Sequence, residues 1–126
     1  MTARTWFSAA AATAAIMTFI TLTIVWPATS ASAATQEQRN AMDHIAAVLA
    51  AEKSCAGFRA NLPLMVMLSN RIGLKTTDPG NKAYLAAQIR HYQNEIAQGG
   101  AEATCAQLYA LYGPKGESAP NLIRTK

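Results

Sequence analysis

The side chains with the widest chemical options in this chain are two cysteines, two histidines and a short run of methionines. Cys55 and Cys105 are an even pair, with no C-x-x-C spacing and no histidine cluster beside them. That pattern excludes the usual zinc and redox motifs and points to one structural disulfide. Closing so long a loop stabilises by roughly 4 kcal/mol in the chain-entropy model. His44 and His91 fall on different predicted helices, so a metal site would need the fold to bring them together; the expectation is no metal and no cofactor. Met65 and Met67, with Met42 elsewhere, offer thioethers suited to Cu(I). Methionine inside an apolar helix is more often core filler, and that is the expectation here.

Covalent and acid–base catalysis both lack parts. Both cysteines are expected to be oxidised, no G-x-S-x-G elbow occurs, and the carboxylates are spaced too widely to nominate a pair. The expectation is a protein that is not an enzyme, with no catalytic residue. What remains is recognition. Tyr84, Arg90, Tyr109 and Tyr112 are the candidate binding residues, because tyrosine and arginine most often anchor protein interfaces. The alternative is that these rings seal the edge of the core with their hydroxyls in water.

The compartment follows from the first residues. Arg4 gives a positive start, an apolar run extends from Ala9 to Val25, Pro27 interrupts it, and Ala31-Ser32-Ala33 supplies small residues for a peptidase. Residues 1–33 are therefore expected to be a cleaved signal peptide, and the mature protein to be periplasmic or secreted. The run is also near the length that spans a bilayer, so retention as an anchor is the alternative, and membrane contact is expected only through that segment.

Residues 34–126 suffice for one domain, in which a covalent staple is valuable. A first helix is expected from Gln36 to Ala51 and on towards Phe58, with Met42, Ile45, Val48 and Leu49 inward. Asn61 and Pro63 open a second, whose Leu62 to Leu68 run is apolar all round and so is expected at the centre of the domain or at an interface. Gly73 ends it, and Lys75 to Gly80 is a loop. The third, from about Asn81 to Gln98, aligns Leu85, Ile89, Tyr92 and Ile96; the fourth runs from Ala101 to Tyr112 with Cys105, Leu108 and Tyr112 on one face. The fold class expected is all-α, a small antiparallel bundle of about four helices over residues 34–113. Residues 114–126 are expected to be an extended or flexible tail, although Leu122 and Ile123 could dock.

Eleven basic residues against seven acidic ones give a net charge of +4, of which Arg4 belongs to the leader. The cations are spread, with no run and no interleaved aromatics, so a nucleic-acid partner is not expected. In helix content and in the one Cys55–Cys105 bridge, the plan resembles the acid-activated periplasmic chaperones; no motif is shared. Periplasmic immunity proteins are similar in size and helicity. The first functional expectation is an exported, non-enzymatic module that binds a protein through the Tyr/Arg face or the apolar second helix. A stress chaperone that exposes Leu62 to Leu68 when its helices loosen, with His44, His91 and the carboxylates as pH triggers, is the second. A metal or small-ligand carrier is the third.

Overall fold

Alanine decides what lies at the centre. In the computed structural model, which describes residues 33–126, helix α1 (Gln36–Ser54) buries Met42, Ile45, Ala46, Ala47, Val48, Ala50 and Ala51. Stepped at 100° per residue, those positions circle the helix rather than stripe it. Methyl side chains let neighbours approach closely from every side, and α1 is contacted by β1 (Phe58–Ala60), α2 (Leu62–Arg71), α3 (Pro79–Gly99) and α4 (Ala101–Tyr112). Its largest partner surface is α3, which contributes Leu85 and Ile96 to the core. The start of α1 is a capping box: Thr35 Oγ1 accepts from the Gln38 amide at 3.1 Å, and Gln38 Oε1 accepts from the Thr35 amide at 3.1 Å.

The chain turns from α3 to α4 at Gly100, where φ is +85°, a conformation glycine adopts without steric cost. Cys55, just past the end of α1, is bonded to Cys105 on α4 with a Cα–Cα distance of 5.8 Å. The disulfide thus ties the last helix to the end of the first. The described residues are mostly helical, and the leader expected over residues 1–33 lies outside them except for its final alanine.

Two expectations are corrected. The domain is not purely helical, because β2 (Ile123–Thr125) pairs antiparallel with β1, placing Arg59 opposite Arg124 and Ala60 opposite Ile123. Nor do residues 114–126 hang free. The Glu117 amide donates to the Ala110 carbonyl, those of Ser118 and Ala119 donate to Leu111, and that of Asn121 donates to Gly113, so the tail satisfies carbonyls left open where α4 ends. Asn121 takes a positive φ of 66°, which asparagine tolerates, and the turn drops Leu122 and Ile123 into the core at 3% and 1% exposure. Burying two such side chains stabilises by roughly 1.5 to 3 kcal/mol each, more than enough to hold the end down. Gly116 permits the return, since a Cβ there would collide with the Leu111 carbonyl.

Of the two places expected for the second helix, the centre of the domain or an interface, it does not take the centre. Only Met65 and Ser69 of α2 are buried; Leu62 is 53% exposed, Val66 59%, Met67 58% and Leu68 37%. Asn61, expected as its side-chain cap, instead donates from Nδ2 to the Asn121 carbonyl at 2.9 Å and from its amide to Leu122. It fastens the tail to the start of α2.

Candidate functional site

The outer side of α2 is the largest apolar feature the described residues leave uncovered. With Met65 and Ser69 turned to α1, the helical step places Pro63 and Met67 on the opposite arc and Val66 on the flank, while Leu62, on the buried side, is left exposed at the first turn of the helix. Grooves run along both flanks. One, of about 270 Å³, lies between α2, the first half of α1 and the tail, with Ala41, Ile45, Leu68, Ile72 and Leu122 in its floor and Glu37 and Arg71 at its lip. The other, of about 220 Å³, has Leu49, Leu62, Val66, Leu74 and Leu85 along it. Ile45 and Met65 line both, so α2 rests on α1 along a narrow ridge. At its far end Gln38 Nε2 donates to the Ile72 carbonyl at 3.1 Å, joining the start of α1 to the end of α2. Exposed apolar continuity of this kind marks a contact with a protein or a membrane.

The expected Tyr/Arg face is dispersed. Tyr84 donates its hydroxyl to Asp43 Oδ1 on α1 at 2.8 Å; that hydrogen bond holds the phenol above its ordinary pKa, with burial and the carboxylate charge acting in the same sense. Tyr112 is buried, 6% exposed, and its hydroxyl lies 2.8 Å from His44 Nδ1 with the rings edge to face. Burial pushes its pKa up to about 12, and burial likewise raises that of Tyr92. Tyr109 stacks on Phe58 of β1 with ring centroids 5.5 Å apart. Arg90 is exposed on α3. Six residues separate it from Tyr84, which sets the two on different sides of the helix. The rings therefore seal seams between α1, α3, α4 and the ribbon, and Tyr112 is not available as a surface anchor.

Cys55 and Cys105 are oxidised, and no cluster of three histidine, cysteine or carboxylate ligands occurs among the described residues. His44 faces a neutral phenol; His91 pairs in solvent with Glu95, Nε2 to Oε1 at 3.2 Å. That second pair was legible from the four-residue spacing on one helix, whereas His44 and Tyr112 are separated by most of the domain and no local signal links them. Of the described methionines, Met42 and Met65 are core residues and Met67 is open to solvent. The disulfide accords with an oxidising compartment.

Comparison with protein-family models, with curated proteins and with solved structures returned no match.

Proposed function

We propose that this protein is an exported, non-enzymatic interaction module, a small bundle of helices around α1 that works by docking, and that the outer side of α2 is its working surface. The observation that carries this reading is the exposure of Leu62, Val66 and Met67 on one short helix while alanines occupy the interior. Leaving three large apolar side chains more than half exposed forgoes roughly 1 to 1.5 kcal/mol apiece, which burial against a partner would recover. Of the two surfaces considered from the sequence, the Tyr/Arg face has its hydroxyls and rings engaged within the domain. The acid-chaperone reading gains less, because it needs Leu62 to Leu68 hidden until a trigger acts, and much of that segment is already exposed.

A photo-crosslinking amino acid at position 67, compared with one at position 90, tests the reading in cells that export the protein. Adducts to protein or lipid from Met67 and not from Arg90 are expected. Adducts from Arg90 alone would overturn it and return the function to the α3 surface.

A further inference from the structure

The partner that α2 is built for can be read from the company it keeps. From Lys53 to Thr77 the chain carries Lys53, Arg59, Arg71 and Lys75 and no carboxylate. Arg59 precedes the helix, Arg71 closes it and Lys75 follows, and all three are exposed. On the ribbon that leads into α2, Arg59 faces Arg124 across the strands, a like-charge pairing that is unfavourable by itself. No carboxylate oxygen lies within 4.0 Å of either guanidinium among the described residues, where His91–Glu95 is the ion pair found. Aliphatic and thioether side chains thus hold the centre, with cations at both ends; Glu37 of α1 is the one carboxylate lining the two grooves along α2.

That arrangement suits lipid better than protein. Protein interfaces draw their energy from tryptophan, tyrosine and arginine at the centre, and leucine and valine are under-represented there. Here the centre is Leu62, Val66 and Met67, and the tyrosines are engaged elsewhere. A helix lying in a bilayer interface shows the opposite preference, aliphatic residues pressed into the acyl boundary with basic residues at headgroup level.

We propose that the outer side of α2 is an interfacial contact for an anionic phospholipid bilayer, Leu62, Val66 and Met67 entering the boundary while Arg59, Arg71 and Lys75 meet the headgroups. The inference rests on α2 being the working surface and names what the surface meets.

Residues 34–126 contain the whole core and the disulfide, so the leaderless domain serves for the test. Trp6 and Trp26 both precede them, and Met67→Trp therefore creates a single-tryptophan reporter. With phosphatidylglycerol vesicles the emission should shift to the blue and the protein should float with the lipid, whereas phosphatidylcholine vesicles should do neither. Val66→Asp, and separately Arg59→Glu with Arg71→Glu, should each weaken the binding by roughly tenfold or more, with circular dichroism confirming the fold. Absence of shift and flotation with phosphatidylglycerol would overturn the inference, as would binding indifferent to charge reversal. Crosslinks from position 67 to protein alone, with no vesicle binding, would also overturn it and leave the α2 reading standing. If Val66→Asp altered neither vesicle binding nor crosslinking, both would fall.

Discussion

Helices α1 and α2 exchange the places that their compositions suggest. The first is rich in alanine and carries Glu37, Asp43, Glu52 and several amides, yet it is enclosed on nearly every side. The second is almost unbroken leucine, methionine and valine, yet it buries only Met65 and Ser69, with Leu64 half-buried against the core. The difference is one of size and of neighbours. A helix of small side chains can be approached all round, so α3, α4, the ribbon and α2 each find a seat on it. A ten-residue helix of large side chains can fill one seat only, and its remaining surface faces outward. Apolar character alone does not place a helix at the centre, and where it fails to do so it marks a surface with work to do.

Four tests bear on this contrast, taken in falling order of effect. Cys55→Ser with Cys105→Ser releases α4 from the end of α1 and should cost about 4 kcal/mol, read as the loss of midpoint in urea unfolding against the oxidised protein. Alkali should act through Tyr112, which seals α1 against α4. Its folded pKa of about 12 lies above the ordinary 10.0, so the contribution is complete below pH 10 and is lost as the pH rises towards 12. That loss amounts to up to about 3 kcal/mol, and Tyr112→Phe should reduce the transition in a stability profile over that range to the smaller part that Tyr84 and Tyr92 contribute. Third, Ala47→Leu puts three extra carbons where α1 has 1% exposure and should cost about 2 kcal/mol by overpacking, measured by thermal melting. Finally, Val66→Ser on the outer side of α2 should change stability by no more than about 0.5 kcal/mol, because it removes an apolar group already in water. If Ala47→Leu and Val66→Ser cost the same, the contrast between the two helices is lost.

Much of this was legible beforehand. The helices start and stop within a few residues of their Gly, Pro and cap signals, although α3 begins at Pro79, inside the expected loop and two residues before Asn81, with the proline at its first helical position. The pairing of Cys55 with Cys105 follows from there being two cysteines and from the export expected of the leader. The capping box was equally open to reading, since Thr35 and Gln38 have its spacing. Three features were not. The central position of α1 depends on what approaches its alanines, which periodicity of large apolar residues does not register. The docking of Leu122 and Ile123 depends on carbonyls left unpaired at the end of α4, a demand that comes from the helix and not from the tail's own sequence. The bonds from Asp43 to Tyr84 and from His44 to Tyr112 join residues that only the packed helices bring together.

Methionine oxidation distinguishes the inside from the outside without altering the protein. In dilute hydrogen peroxide, with mass spectrometry following each residue, Met67 at 58% exposure should convert to the sulfoxide rapidly, while Met42 and Met65, at 1% and 5%, stay protected until the domain is unfolded. Oxidation of Met67 no faster than that of Met42 in the native protein would contradict the account, placing α2 inside and leaving the domain without the surface on which its proposed function depends.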